Sequence, residues 1–508
     1  MVPGFRRGDM GEGGTTNSAP LAFRRRASPT DRSTIPMPKP HPIAQRASAA
    51  LARIPLLLSL LVLAATAALL LLPPPPGMPE PAARAAGLVL FAVGFWATGI
   101  IPEVLTAISF FLLAMLFQVA SPAVVFSGFA STALWLVFGG LFIGLAVTRT
   151  GLGAVLARAF LDRIGASYLS VLSGVALACI GLSFLMPSVM GRVLLLVPIA
   201  VAVAERIGFG PGSRGRAGVV MVTLLTTYMP SCGILPSNVP NMVLAGAAET
   251  AYGVTLTYGS YFLLHFPVLG AVKTAVIVLL AWVLFRDAPR RPEPGLAPAP
   301  MNREARRLLV LLLIALAFWI TDFLHHVSPA WVALAVTVVL LLPRVGLLPV
   351  GIFNEGVNFG SYFLVAAILG VGALVGASGL GEVISRVLLA WMDLRPGAHF
   401  ANFMALSVAW TALGILFTVA GLPAVLTPLS ADIAQAAGFS LEAVLMTQVI
   451  GYSTVLLPYQ MGPLIVGVAL GGIRAADGAR IMLPLTALTF ALLVPLDFLW
   501  WSWLGYFG

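Results

Sequence analysis

Long apolar blocks follow one another along most of the chain, and short polar islands separate them. Blocks such as Leu56–Leu72, Ala271–Phe285 and Tyr362–Val375 are long enough, or nearly so, to cross the hydrocarbon core of a bilayer as helices. The pattern predicts an all-α polytopic membrane protein with about 11 transmembrane helices.

Two polar regions divide the chain. Residues 1–53 hold eight arginines and one lysine against three acids in a stretch rich in Pro, Ser and Gly, which predicts a disordered cytoplasmic tail. Residues 286–307 hold six arginines, three acids and five prolines and predict a cytoplasmic linker between two hydrophobic halves. We interpret the tail as a topology determinant, with contact to anionic lipid as the alternative.

The two halves carry similar short motifs in the same order. Gly94–Ile108 shares Phe-Trp-x-Thr with Ala317–Leu334, and Val147–Gly153 resembles Val375–Gly381. Near the end of each half, "LPSNVPNMVLAG" in the first resembles "LPYQMGPLIVG" (Leu457–Gly467) in the second. Each match alone is weak, but their shared order, at offsets of about 220–230 residues, predicts an internal duplication.

Arginines near the ends of predicted spans orient each half. If the apolar segment at about 168–205 crossed the membrane once, Arg206, Arg214 and Arg216 would lie outside. If the segment enters and returns as a hairpin, they stay inside, as the positive-inside rule prefers. The two halves then start on opposite sides of the membrane, so we expect inverted repeats.

The predicted organisation therefore has five parts, which are the tail (1–53), a first span with its loop (54–85), a first repeat (86–285), the linker (286–307) and a second repeat (308–508). Each repeat is expected to contain a re-entrant hairpin and then a broken helix, at about 168–205 and 217–247 in the first repeat and at about 400–438 and 443–470 in the second. Interruptions paired in this way predict a binding site near the bilayer midplane. The alternative is that Pro and Gly only kink packed helices.

Composition narrows the choice of function. Hydrophobic residues make up 59% and charged residues 9% of the chain, whereas soluble domains average about 25% charged residues. The net charge of +10 follows from the tail and the linker, so we expect no nucleic-acid partner. Cys179 and Cys232 offer neither a disulfide framework nor metal-ligand spacing. Since the sequence has no nucleotide-binding loop and no HExxH motif, a pump or a membrane-embedded enzyme is disfavoured, and a channel or receptor ranks third.

Two stretches resemble a known family. "FWATGIIPEVLTAISFFLLAML" and "VFSGFASTALWLVFGGLFIGLAVTRTGL" are similar to the divalent-anion:sodium symporter (DASS) family of dicarboxylate, citrate and sulfate transporters. The resemblance covers about Leu88 to the C-terminus. It implies a dimer with a scaffold domain and a moving transport domain. It also implies hairpin tips with a Ser-Asn-Thr motif and broken helices with a Thr-Pro-Pro-Asn-like turn, which bind substrate carboxylates and sodium ions and carry them across by an elevator-like movement.

This sequence departs from the family's motifs at several positions. The hairpin tips read Ser188-Val189-Met190 and Thr418-Val419-Ala420, and Asn238-Val239-Pro240-Asn241 takes the place of the first turn, while the second break keeps one proline after Tyr459-Gln460. The resulting candidates for substrate binding are Ser188, Asn238, Asn241, Thr418, Tyr459 and Gln460. The candidates for binding a coupling ion are Ser188, Gly233, Ser237 and Asn238. For the two asparagines, capping of the broken helix ends is the alternative role.

Arg192 is the most informative departure from the family pattern. It lies four residues after Ser188 with apolar residues behind it, and an arginine at bilayer depth costs about 2.5–3.5 kcal/mol, so it usually faces a cavity or a partner. We interpret it as a substrate-binding positive charge, which also replaces a coupling cation. The alternative is a shallower hairpin from which Arg192 reaches the cytoplasmic surface.

The acidic residues of the hydrophobic halves are weaker candidates. Four of them are candidate proton carriers, and each lies near a predicted span end: Glu103, Asp322, Glu355 and Asp432. We therefore expect them to be solvated boundary residues.

Together the patterns and the resemblance predict a secondary transporter of a small anion, a di- or tricarboxylate or a sulfate-like ion, that works by an elevator mechanism coupled to Na⁺ or H⁺. The alternatives are an exchanger or exporter of the same fold and, less favoured, a membrane-embedded enzyme. No cofactor is expected, and Na⁺ enters only as a coupling ion. The expected partners are the anion, membrane lipid and a second copy of the chain, in a bacterial inner membrane with the N-terminus in the cytoplasm.

Overall fold

The computed structural model describes residues 42–161, 167–288, 301–344, 346–416, 419–457 and 460–507, and within these ranges every regular element is a helix. Residues Arg53–Gly508 form one compact unit. Of the unit Met1–Ala52, residues 42–52 are described, and they are helical. Most of the predicted tail thus lies outside the described residues.

The described residues of the first half form ten helices of ten residues or more. Their bounds are α1 Pro42–Leu71, α2 Glu80–Thr98, α3 Glu103–Leu116, α4 Thr132–Thr150, α5 Leu152–Leu161, α6 Tyr168–Leu185, α7 Val189–Arg206, α8 Arg214–Tyr228, α9 Val239–Tyr252 and α10 Tyr258–Leu284. Among the described residues α6 and α7 form a helical hairpin, and α8 and α9 are the two parts of a broken helix.

The second half repeats this order. Its helices are α11 Arg303–Ile320, α12 Pro329–Leu341, α13 Gly360–Ala377, α14 Leu380–Trp391, α15 His399–Leu416, α16 Gly421–Ala437, α17 Leu441–Ser453, α18 Gly462–Gly471 and α19 Ala475–Trp503. Short single turns lie between some of them, at Pro122–Val125, Ser127–Ala130, Asp322–His325 and Ile352–Glu355. The pair α15 and α16 corresponds to the first hairpin, and α17 and α18 correspond to the first broken helix.

Several of these helices suit a membrane. In the described ranges six helices have the length and hydropathy to span a bilayer, or up to seven if the bent pair of α16 and α17, with 117° between its parts, counts as one span. Further apolar helices of 10–17 residues accompany them. Leucines of α1 such as Leu57 and Leu61 are 63% and 66% exposed, as expected of a lipid-facing surface. The predicted all-α polytopic fold is confirmed.

The first break follows from its prolines. Pro230, Pro236 and Pro240 each lack a backbone donor, and two 3₁₀ turns, Pro230–Gly233 and Leu235–Ser237, replace the α-helix between α8 and α9. Pro240 and Pro463 are the second residues of α9 and α18, which are the second halves of the two broken helices. Proline suits this position because the first helical turn needs no backbone donor there. The prolines thus interrupt the helix between α8 and α9.

The last helix of each repeat contains a π-helical segment. In α10 it spans Phe266–Val272 and in α19 it spans Thr489–Leu493, and the two segments contact each other. Pro267 and Pro495 lie in or next to these segments, and the loss of a donor shifts the hydrogen-bond ladder. At Gly233 an added Cβ would lie 3.0 Å from the backbone Cα of Phe266, so a glycine there lets the π segment pack on the first break.

Candidate functional site

Arg192 lies on α7, one turn from the tip of the first hairpin, and its side chain is 0% exposed. Its Nη1 donates to the hydroxyl of Ser237 at 3.0 Å and to the carbonyl of Met186. Its Nη2 donates to the carbonyls of Thr227 at 3.1 Å and Ser237 at 3.2 Å. The guanidinium thus joins the hairpin tip to both sides of the first break. The alternative in which Arg192 reaches the cytoplasmic surface is wrong, because the side chain is enclosed by protein.

No carboxylate balances this charge among the described residues. The ion pairs within 4 Å that they form use other arginines. Three carbonyl oxygens and one hydroxyl oxygen surround the guanidinium, and its Nε has no hydrogen-bond partner there. We call these four oxygens, from Met186, Thr227 and Ser237, the oxygen cage. Hard cations bind oxygen ligands of this kind, so Arg192 places a positive charge where the backbone offers a cation position.

The other candidates of the first repeat lie at the same place. Ser188 is the N-cap of α7, where its hydroxyl accepts from Gly191 N at 3.1 Å. Ser237 belongs to the oxygen cage, and its hydroxyl donates to the carbonyl of Ser183 at 2.9 Å. The structure therefore brings Ser188, Arg192 and Ser237 together between the hairpin tip and the first break.

The two asparagines differ in their partners. Asn238 is at the N-cap of α9, but its side chain makes no capping hydrogen bond, and its Nδ2 donates instead to the sulfur of Cys232 at 3.1 Å. The capping role considered for Asn238 is thus wrong. Asn241 donates to the carbonyls of Ser231 at 3.1 Å and Ile234 at 2.9 Å. Its Oδ1 is buried without a hydrogen-bond partner among the described residues.

Gln460 is the candidate of the second break that the structure describes, and it is 3% exposed. Its Oε1 accepts from the backbone amides of Leu456 and Leu457, both at 2.8 Å. Its Nε2 donates to the carbonyl of Gly414, in the second hairpin, at 2.7 Å. Gln460 thus joins hairpin to break in the second repeat, as Arg192 does in the first. The candidates Thr418 and Tyr459 lie outside the described residues.

Three tyrosines connect the two breaks. Tyr228, the last residue of α8, donates its hydroxyl to the carbonyl of Tyr452 at 2.8 Å. Tyr261 of α10 donates to the carbonyl of Cys232 at 2.8 Å, and its hydroxyl is 2.9 Å from that of Tyr452. All three are buried, and a network of this kind is stabilising only when its members are satisfied. The two breaks are therefore parts of one buried polar region.

The expectations for the acids hold in part. Glu103 and Asp432 are exposed, whereas the side chain of Glu355 lies outside the described residues. The expectation of solvation is wrong for Asp322, which is 2% exposed and accepts from the amides of Tyr258 and Gly259 at the start of α10. It serves as a buried cap.

Sequence analysis missed two buried charges, Lys273 of α10 and Asp497 of α19. Each follows a phenylalanine by seven residues, Phe266 and Phe490 respectively, at equivalent places in the two repeats. An alignment of the two halves that extended to the last helix would have revealed this pair. Among the described residues no group of three or more His, Cys, Asp or Glu side chains is placed to hold a metal ion.

Comparison with known proteins decides the family. Residues 55–507 match the family model described as the sodium:sulfate symporter transmembrane region. The chain belongs to this family. Because the members of this family are transporters, the match confirms that the protein is a membrane transporter of small anions of the dicarboxylate or sulfate kind and not an enzyme.

Two relatives and one solved structure show how similar this chain is to other proteins. A protein named "Membrane protein" from Cupriavidus necator is 26% identical over 394 residues, which cover 75% of this chain and 76% of the relative. The L-tartrate/succinate antiporter of Escherichia coli K12 is 24% identical over 391 residues, which cover 74% of this chain and 79% of the relative. The crystal structure of the Alcanivorax borkumensis YdaH transporter superposes with a TM-score of 0.51 at 18% identity, covering 85% of this chain and all of that one. At that identity the superposition supports the fold alone.

Proposed function

We propose that this protein exchanges small dianions, of the di- and tricarboxylate class, across the membrane without requiring Na⁺. The observation that carries the proposal is the oxygen cage of the first break, which Arg192 fills. A transporter that binds Na⁺ needs oxygen ligands that are free to receive it. Here a guanidinium that is permanently charged already occupies such ligands.

The same charge supports binding of an anion. Arg192 is 0% exposed and has no carboxylate partner in the described part of the chain, and an uncompensated buried charge is unfavourable until an opposite charge approaches. The half-helix α9 begins at Val239, next to the oxygen cage, and helix N-termini favour anions. Ser188, Asn238, Asn241 and Gln460 are the neutral side chains that we propose to contact substrate.

The relatives favour exchange over symport. The named relative from Escherichia coli K12 is an L-tartrate/succinate antiporter, which exchanges one dicarboxylate for another. Coupling to Na⁺ or H⁺ is the second candidate, and it is favoured by the buried Oδ1 of Asn241, which has no hydrogen-bond partner among the residues that the structure describes and can accept a cation.

The mode of movement and the setting are part of the proposal. We propose an elevator-type movement of the hairpins and broken helices, in a homodimer embedded in lipid. The location proposed is a bacterial inner membrane with a cytoplasmic N-terminus, which the arginines of the linker support.

The test uses purified protein in liposomes. Vesicles are loaded with unlabelled succinate, tartrate or sulfate, or left without an anion, and uptake of labelled succinate is measured in Na⁺ and in choline buffers. We expect uptake into vesicles that contain a dicarboxylate, at the same rate in both buffers. Uptake that needs external Na⁺ and no internal anion overturns exchange and supports the second candidate. No uptake of labelled succinate under any of these conditions overturns both.

A further inference from the structure

The last helices of the two repeats carry opposite charges at equivalent positions. Lys273 follows Phe266 by seven residues in α10, and Asp497 follows Phe490 by seven residues in α19. Both charged side chains are 0% exposed. The π-helical segments just before them contact each other, so the two charges lie where the repeats cross.

Lys273 contacts the second break. Its Nζ donates to the carbonyl of Ser453 at 2.8 Å and is 3.5 Å from the hydroxyl of Thr454. These residues end α17, where a half-helix carries a partial negative charge. Arg192 contacts the carbonyl of Thr227, at the matching end of α8. In each repeat, therefore, a positively charged side chain contacts the carboxyl end of the first part of the broken helix.

Asp497 has no such partner. Both of its carboxyl oxygens are buried without a hydrogen bond in the described structure, as is the indole Nε1 of Trp501 one turn later. No ion pair within 4 Å joins Asp497 to Lys273 among the described residues. A buried carboxylate in this position costs several kcal/mol when ionised and unpaired.

Other titratable groups lie on the elements that pack against the end of α19. They are Tyr258, Tyr261 and His265 of α10 and His399 of α15. His265 Nε2 lies 3.3 Å from the sulfur of Met446, and its ring packs edge-on against Trp501 at 5.6 Å between ring centres.

We propose that Asp497 is a proton-binding site of the transport cycle and that Lys273 is its charge partner; this rests on the proposed anion transport. With a proton bound to Asp497, Lys273 stays at the carbonyl of Ser453 and provides a net positive charge at the second break. When the carboxyl O–H loses its proton to water, the ionised Asp497 attracts the flexible lysine away from that carbonyl. Proton binding thus sets whether Lys273 stays at the second break.

The first experiment compares wild type with Asp497→Asn, which mimics the protonated group. Exchange of labelled succinate is measured from about pH 6.5 to about pH 8.5, where small carboxylates stay ionised. We expect the wild-type rate to fall as pH rises, and we expect this fall to be clearly smaller in Asp497→Asn, which keeps a neutral side chain at every pH. The matched control Asp432→Asn, at an exposed acid of α16, keeps the wild-type profile. Lys273→Met lowers exchange at every pH and flattens the profile.

The second measurement does not depend on transport. Infrared difference spectra of the purified full-length protein between the two pH values report protonated carboxyl groups, and Asp497→Asn removes one band if the site binds a proton. An unchanged pH profile in Asp497→Asn, or an unchanged infrared spectrum, overturns the proton site. Absence of transport in wild type with the infrared band present instead overturns the proposed function and leaves the proton site standing.

Discussion

The two breaks are joined to their hairpins by different side chains. Arg192, a charged residue of the first hairpin, donates to backbone carbonyls of the first break, whereas Gln460, a neutral residue of the second break, donates to a backbone carbonyl of the second hairpin. Both side chains are buried, and both bond to backbone groups on each side of an interruption. The repeats therefore meet the same need, which is to satisfy polar backbone groups away from water. They differ in the side chain that joins hairpin to break, which is charged in the first repeat and neutral in the second, and we propose that Arg192 attracts the anion at the first.

The largest effect is expected from Arg192→Ala. Removal of the guanidinium opens the oxygen cage and leaves its carbonyls unpaired at a cost of about 1–3 kcal/mol for each buried group. We expect succinate exchange in choline buffer to fall by more than about tenfold, which corresponds to about 1.4 kcal/mol. Addition of Na⁺ should restore part of it, because Na⁺ can then bind the freed oxygens. The measurement is exchange in proteoliposomes against Na⁺ concentration.

Two variants control for this result. Arg192→Lys keeps the charge without the planar fork and should retain more exchange than alanine, with no response to Na⁺. Arg149→Ala, at an exposed arginine in the last turn of α4, should behave as wild type. A folded Arg192→Ala protein that exchanges succinate normally in choline would remove Arg192 from the site.

The second prediction concerns Gln460→Leu. The substitution leaves the carbonyl of Gly414 and the amides of Leu456 and Leu457 without their side-chain partner. Loss of these bonds should lower the free energy of unfolding by about 2–4 kcal/mol and lower the thermal midpoint in detergent. Because Gln460 is also proposed to contact substrate, exchange should decline by more than the loss of folded protein accounts for, and it should stay independent of Na⁺.

Gln460→Glu separates the two functions of the side chain. The variant keeps an oxygen that accepts from Leu456 and Leu457 but loses the donor to Gly414. If the bonds within the break contribute more stability than the bond to the hairpin, Gln460→Glu should lose less stability than Gln460→Leu. If Gln460→Leu makes exchange dependent on Na⁺, the contrast between a charged connecting side chain at the first break and a neutral one at the second is incorrect.

Much of this fold could be predicted because it follows from patterns that are visible in the sequence. Apolar blocks, prolines such as Pro236 and Pro240, and the recurrence of motifs indicate helices, breaks and repeats without any knowledge of contacts. The importance of Arg192 also followed from its type and depth. Its partners did not, because backbone carbonyls carry no signature in the sequence.

The remaining site could not be predicted for a related reason. Asn238 was expected to cap α9 or contact a ligand, yet it bonds to a sulfur six residues earlier, which depends on the path of two 3₁₀ turns. Lys273 and Asp497 were overlooked since a charge near the end of an apolar block is usually solvated. Their burial depends on how two π-helical segments cross, which is tertiary information.

A third prediction tests the link between the repeats. Tyr228→Phe removes the hydroxyl that donates to the carbonyl of Tyr452. The expected loss of stability is about 1–2 kcal/mol, seen as a lower thermal midpoint, with a modest reduction in exchange. Tyr258→Phe is the control, because the hydroxyl of Tyr258 is buried without a hydrogen-bond partner in the described structure. Equal effects of the two variants would contradict the proposed connection.

The smallest effect on stability is expected from Asn238→Ala, and this makes it the most informative test of the first break. Because Asn238 makes no capping bond and donates only to the weak acceptor sulfur of Cys232 in the described structure, its loss should cost less than about 1 kcal/mol. Ser213→Ala is the comparison, since the hydroxyl of Ser213 caps α8 through Arg216 N at 3.2 Å, and loss of such a cap costs about 1 kcal/mol. If Asn238→Ala keeps its thermal midpoint but raises the KM for succinate, the amide contacts substrate; if neither quantity changes, Asn238 has no part in binding, and the site depends on Arg192 and the hairpin tip.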